Sequence, residues 1–203
     1  MTSWLHEQRL AAVHGAVRAG AARSVLDLGC GDGDLLIRLA REPQIARLVG
    51  IDLSQDALTR LRARLARLAR GDGEAGPQIE LICGSMTRAD RRLCGFDCAI
   101  LVETIEHLHP AELSALERAV FGTMRPGRVV VTTPNAEFNT LLGVPTHRFR
   151  HPGHRFEWGR AKFGAWASGL AGRNDYAWVC SDIAGNHPSC GGASQMAVFT
   201  RIG

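Results

Sequence analysis

The sequence predicts an α/β fold: a mostly parallel, doubly wound sheet with a long loop before its last helix. Three observations carry that reading. Short apolar runs alternate with helix-patterned stretches from residue 24 to about 133, and regular alternation of this kind builds parallel sheets from βαβ units. A Gly-x-Gly-x-Gly turn, Gly29 to Gly33, joins the first apolar run to a helix. A chain of 203 residues is long enough for one domain with a sizeable core.

The elements follow in order. Leu5 to Arg18 has Leu10, Val13 and Val17 at helical spacing and reads as an amphipathic helix. Ser24 to Leu28 is a short apolar strand, and Asp34 to Arg41 the next helix. Leu48 to Asp52 is a second strand ending on an acid, and Ser54 can cap a helix running to about Arg70. Gly71 to Pro77 is a loop, Ile79 to Cys83 a third strand and Phe96 to Val102 a fourth. Pro110 to Met124 reads as a helix with proline in its first turn. Gly127 to Thr133 is a fifth strand. Pro134 to about Trp158 breaks the rhythm; it is polar, aromatic and basic, and loops of that length are usually functional or disordered. Arg160 to Leu170 is helical again, and Tyr176 to Ser181 and Gln195 to Arg201 are closing strands. The whole reads as one domain, 1–203. Residues 1–23 form an N-terminal helix region, 24–133 the core, 134–160 the loop, and 161–203 the closing helix and strands.

Bulk composition bounds the function only loosely. Hydrophobic residues at 45% and charged residues at 22% are ordinary for a soluble globular protein. The net charge of +4 permits an anionic partner without demanding one. Lys162 is the only lysine. The six cysteines form no C-x-x-C pair and read as buried free thiols in a reducing cytosol, which argues against a zinc site built from them. No secretory signal and no membrane-length apolar run is apparent, so a cytoplasmic location without membrane association is expected.

Two constellations carry chemistry. Glu103, Glu106 and His107 stand at i, i+3 and i+4 directly after the fourth strand. On a helical turn that spacing gathers two carboxylates and an imidazole on one face, three potential ligands for a divalent cation. His147, His151 and His154 form a second cluster that can supply a fourth. The carboxyl end of a strand is also where α/β folds place their active sites. The same residues also read as helix-start acids and ordinary surface histidines. The second constellation is the glycine turn with Asp52. Glycines let a ligand approach the backbone, and an acid at the next strand end can accept from both hydroxyls of a ribose. The spacing differs from the dinucleotide G-x-G-x-x-G.

Asp27, Gly29, Gly31, Gly33 and Asp52 together resemble the motifs of class I S-adenosylmethionine-dependent methyltransferases, which have a Rossmann-like fold. The resemblance covers about residues 22–133. It implies S-adenosyl-L-methionine as methyl donor, with Asp52 on its ribose and Gly84-Ser85-Met86 along the adenine. Some small-molecule O-methyltransferases carry a run similar to E-x-x-E-H in the same place. Later segments are more telling: Thr133 to Asn139, Arg150 to Trp158, and Ser194 to Phe199. With Glu103, Glu106 and His107 they resemble the Hua-enhancer-type RNA methyltransferases, from the Leu5-His-Glu-Gln-Arg segment to the chain end. That family methylates the 2′-hydroxyl of the 3′-terminal nucleotide of small or cleaved RNAs.

The resemblance implies one divalent metal on Glu103, Glu106, His107 and His154, with His151 the fallback fourth ligand. Gly153 stands where the family usually has Asp, and Trp158-Gly159-Arg160 replaces the commoner W-T-R. A cation chelated by vicinal 2′ and 3′ hydroxyls would select RNA termini and acidify the 2′-hydroxyl. A nearby imidazole, His107 or His154 if not fully committed to the metal, could take the proton. Mixed imidazole and carboxylate ligation suits Mn, Fe or Co, with Mg also open. Arg148, Arg150, Arg155 and Arg160 are expected to meet RNA phosphates. Phe149 and Phe156 either stack on end bases or anchor the loop. Bacterial relatives work with an RNA-repair polynucleotide kinase-phosphatase, the partner the resemblance implies besides the RNA 3′ end. A catechol-like O-methyltransferase and a degenerate, non-catalytic RNA-binding module are the competing readings.

Overall fold

The computed structural model describes residues 4–68 and 76–203. The expected helix end at Ala69 and Arg70 and most of the Gly71–Pro77 loop lie outside them. Helix α1 (Trp4–Ala19) precedes β1 (Ser24–Leu28), α2 (Asp34–Leu39), β2 (Arg47–Asp52), α3 (Gln55–Leu68), β3 (Gln78–Cys83) and β4 (Cys98–Val102). Then come α4 (Leu113–Glu117), β5 (Arg128–Pro134), α5 (Arg160–Asn174), β6 (Tyr176–Ile183) and β7 (Ser194–Arg201). The seven strands form one sheet in the order β3-β2-β1-β4-β5-β7-β6. The first five are parallel, and β7 runs antiparallel between β5 and β6. The strand order reverses between β1 and β4, the crevice where open α/β sheets bind ligands. Among the described residues, no helix is long and apolar enough to cross a membrane.

Period-two alternation divides the sheet between two cores. Val25, Cys98, Ile100 and Val130 face Leu10, Val13, Leu36 and Leu58 of the first three helices. Leu26, Leu28, Ala99, Leu101, Val129 and Val131 face Phe121 and Phe163 on the opposite side. Ser54 does cap α3, its hydroxyl accepting the Ala57 N–H at 3.2 Å.

Several elements differ from expectation for local physical reasons. Phe96 and Asp97 precede β4, because the Asp97 carboxylate accepts the backbone N–H groups of Arg23 and Ser24 and so ties the turn to the start of β1. The expected helix from Pro110 to Met124 is three pieces: a 3₁₀ turn (Pro110–Glu112), α4, and a π-helical stretch (Arg118–Met124). Arg125 donates to the Val120 carbonyl five residues back, and the widened turn buries Ala119, Val120, Phe121 and Met124 together. The long loop is not structureless. It holds a 3₁₀ segment (Ala136–Leu142), and Asn135 bridges Trp158, so the loop leaves and returns at one point. All six thiols are free, but Cys83, Cys94 and Cys180 are exposed rather than buried.

Candidate active site

The first half of the site is the turn after β1. Gly29 and Gly33 have φ of 86° and 81°, backbone that L side chains rarely adopt. A Cβ on Gly29 would lie 2.4 Å from Thr104 Cγ2, and one on Gly33 2.1 Å from Leu61 Cδ1. Gly33 is therefore a packing glycine beneath α3. Gly31 faces open space. Asp52, at the end of β2, accepts the Gly31 N–H on Oδ2 and the Ser54 N–H on Oδ1, each at 2.8 Å. The Asp27 carboxyl, buried beneath the turn, is pushed up to about 7 by burial and then by the charge of Asp52.

A cavity of about 300 Å³ opens here, lined by Gly29, Asp52, Leu53, Gly84, Met86 and Thr104 among others, and by Glu103 and His107. The residues therefore fit a nucleoside with a charged tail: a carboxylate already oriented by backbone donors, glycine backbone beside it, and apolar walls. Ser85 is not among the lining residues; its hydroxyl pairs with Thr87 Oγ1.

The second half follows β4. Glu103 adopts a left-handed φ of 52°, and Ile105–His107 form a 3₁₀ turn rather than an α-helical one. An α-helical turn therefore does not set the relative placement of the three expected ligands. Thr132 Oγ1 donates to Glu103 Oε1 and Thr133 Oγ1 to Glu106 Oε2, each at 3.0 Å. Glu103 Oε2 also lies 3.2 Å from the Arg9 guanidinium and 3.3 Å from Ser194 Oγ. His107 remains exposed, its Nδ1 3.2 Å from the Gly153 carbonyl. Burial raises the pKa of Glu103, against Arg9 and the hydroxyls. Burial, then the charge of Glu103, holds Glu106 well above the usual carboxylate range. Burial and then His154 lower that of His107.

From the loop, His151 and His154 come to His107, and one donor atom from each ring lies within 4.8 Å of the others. His154 Nδ1 is 2.5 Å from Glu157 Oε1. The Glu103 and Glu106 carboxylates are not in that triple-histidine group. Even so, the donor set suits a divalent cation. Glu106 is fully buried and its Oε1 has no hydrogen-bond partner. Burial disfavours the charged form of both acids, and a bound cation would favour it.

The four candidate RNA-contacting arginines separate. Arg150 reaches inward, its guanidinium donating to Asn139 Oδ1 and to the Ala193 and Asn135 carbonyls. Arg160 pairs with Glu137 and donates to the Ser189 carbonyl. Arg148 and Arg155 have exposed side chains. Phe156 is an anchor, buried and stacked on Trp158 at 4.2 Å, whereas Phe149 is exposed. His147 is not part of the histidine group. Sequence reasoning missed Arg9, Thr132, Thr133 and Glu157. Arg9, Thr133 and Glu157 lie in segments that carry the family resemblance, and the threonine pair also closes the apolar run Val129-Val130-Val131.

The fold is similar to that of an S-adenosylmethionine-dependent methyltransferase from Clostridium acetobutylicum, with a TM-score of 0.71 at 11% identity over 97% of this chain and 92% of that one. The model of the methyltransferase-domain family matches residues 25–127. A small RNA 2′-O-methyltransferase of Xenopus tropicalis is 39% identical over 97% of this chain and 55% of its own length. The methyltransferase domain of bacterial CtHen1 is 36% identical, with a TM-score of 0.86 over 98% of this chain and all of that one. Small RNA methyltransferase HEN1 superposes with a TM-score of 0.90 at 32% identity, over 97% of this chain and 25% of that one. The chain belongs to the Hen1-type branch of the methyltransferase-domain family. It spans about half the length of the curated relatives it matches.

Proposed function

We propose that this domain transfers the methyl group of S-adenosylmethionine to the 2′-hydroxyl of the 3′-terminal nucleotide of RNA, with a divalent cation held by Glu103, Glu106, His107 and His154. One observation carries the reading. A single cavity runs from Asp52 and Gly29 to Glu103 and His107, so the donor pocket abuts the metal-type donor set.

Asp52 would accept from the donor's ribose, and Leu53 and Met86 would cover its base. His154, with Nδ1–H directed at Glu157, and His107, with Nδ1–H directed at Gly153, keep Nε2 lone pairs for ligation. Thr133 occupies one oxygen of Glu106 and leaves the other for the cation. Arg9 balances Glu103. When bound, the cation would supply Lewis acidity to a hydroxyl and chelation of vicinal hydroxyls. Arg148 and Arg155 would meet phosphates, while Arg150 holds the loop. The setting proposed is RNA-end protection or repair in the cytoplasm, beside a kinase-phosphatase that prepares the end.

The test is labelled methyl transfer to oligonucleotides identical except at the terminal ribose, with and without chelator. Transfer is expected only to the 2′,3′-diol end, lost with EDTA and restored by Mn²⁺ or Co²⁺ at least as well as by Mg²⁺. Robust transfer to a 3′-phosphate end, or to catechol and not RNA, overturns it.

A further inference from the structure

Three imidazoles meet at the loop side of the site, yet their outer nitrogens are not in the same chemical state. His107 Nδ1 faces the Gly153 carbonyl and His154 Nδ1 the Glu157 carboxylate. A carbonyl and a carboxylate only accept, so both Nδ1 atoms carry a proton, and in the neutral rings both Nε2 atoms keep a lone pair. His151 is reversed. Its Nδ1 accepts the backbone N–H of Gly153 at 3.0 Å, so the neutral ring carries its proton on Nε2. That outer nitrogen is a donor and has no lone pair for a metal.

One residue sets the opposite orientations of His151 and His107. Gly153 gives its N–H to His151 and its carbonyl to His107. A Cβ there would stand 3.0 Å from His151 Nδ1 and 3.1 Å from His107 Nδ1. The absence of a side chain lets both rings close on one peptide while holding opposite tautomers.

We propose that His151 is not a metal ligand but the hydrogen-bond donor that reads the 3′-hydroxyl oxygen of the terminal nucleotide. The assignment rests on the proposed function. His151 is exposed and its ring centroid lies 5.5 Å from each of the two rings of ligand tautomer, so its N–H would stand beside a hydroxyl pair chelated at those rings. Of the two oxygens, the 2′ one must act as nucleophile, and a donor on it would reduce its basicity. The 3′ oxygen carries no such demand. A donor covered by the bound end but left without its acceptor penalises an end that lacks one.

The experiment measures Mn²⁺ affinity by electron paramagnetic resonance, and kcat/KM on a 3′-hydroxyl RNA against its 3′-deoxy counterpart. It compares the wild-type chain with His151→Ala, His151→Gln and His154→Ala. His151→Ala is expected to keep Mn²⁺ affinity within about threefold, whereas His154→Ala loses about tenfold or more. His151→Ala should narrow the preference for the 3′-hydroxyl end about tenfold. His151→Gln, whose amide N–H can reach the same place, should restore part of it. Loss of Mn²⁺ by His151→Ala as severe as in His154→Ala makes His151 a ligand and overturns the assignment alone. So does an unchanged end preference. A wild-type chain that binds no Mn²⁺, or binds it and methylates no RNA, overturns the proposed function and this assignment together.

Discussion

The guanidinium of Arg9, on the first helix, lies 3.2 Å from the carboxylate of Glu103 at the end of β4. The same guanidinium donates through Nε to Ser194 Oγ, at the start of β7. One side chain thus joins three elements at the point where two buried acids need charge balance.

Arg9→Met should therefore destabilise the metal-free domain by roughly 1–3 kcal/mol, since a largely buried carboxylate loses its counter-ion. Urea denaturation measures it. Saturating Mn²⁺ should shrink the difference, because a bound cation supplies the missing charge. Equal stability of variant and wild type without metal would show that the pair is idle.

Glu157 holds His154. Burial pushes its carboxyl up, but hydrogen bonds from His154, Asn139 Nδ2 and the Arg150 N–H outweigh that and lower its pKa. Glu157→Gln keeps the volume and removes the acceptor charge. Mn²⁺ affinity is expected to fall about 10- to 100-fold, as for other carboxylates behind a ligating imidazole. Calorimetry reads this directly, and an unchanged affinity would remove Glu157 from the site.

Asp52→Ala should weaken S-adenosylmethionine binding by about two orders of magnitude, because an ion-assisted acceptor for a ribose diol is lost. Titration calorimetry is the check. Asp52→Asn should recover only part, since one carboxylate oxygen now accepting Gly31 or Ser54 N–H becomes a donor. An Asp52→Ala chain that binds the donor as tightly as wild type would place the ribose elsewhere.

Asp27 gives a pH signature. Its folded-state pKa is raised from 3.8 to about 7. Between those values the folded state binds more protons than the unfolded one, so stability falls as pH rises through that window. This single proton contributes at most about 1.4 kcal/mol per pH unit. Asp27→Asn should flatten the profile between about pH 4 and 7 relative to wild type. Thermal unfolding of the donor-free chain across that range tests it, and parallel profiles would refute the shift.

Much of the fold was legible because its signals are local. Val25 to Leu28 and Val129 to Val131 are apolar runs of strand length, and Leu10, Val13 and Val17 mark a helix face without any partner in view. Gly29 and Asp52 stand at strand ends for the same reason, since glycine turns and terminal acids follow strands along the chain. The glutamate–histidine run was legible as a cluster but not as a geometry. Its spacing assumed an α-helical turn, whereas the left-handed Glu103 and the 3₁₀ turn after it are set by β4 docking against Thr132 of β5.

The sequence by itself determined the parallel sheet, the glycine turn, the strand-end acid and the identities of the candidate ligands, because periodicity and short motifs act over a few residues. Tertiary structure alone decided which groups meet. It brought Arg9 of α1 to Glu103, and it turned Arg150 inward on Asn135 and Ala193 while leaving Arg148 and Arg155 outside. It also set His151 and His107 against opposite groups of the Gly153 peptide, its N–H and its carbonyl. Each outcome depends on a hydrogen bond between segments remote in the chain or on a loop whose two ends are pinned at Asn135 and Trp158. Spacing along a sequence carries no information about such closures, because they are fixed by which buried polar atoms must be satisfied once the strands have paired.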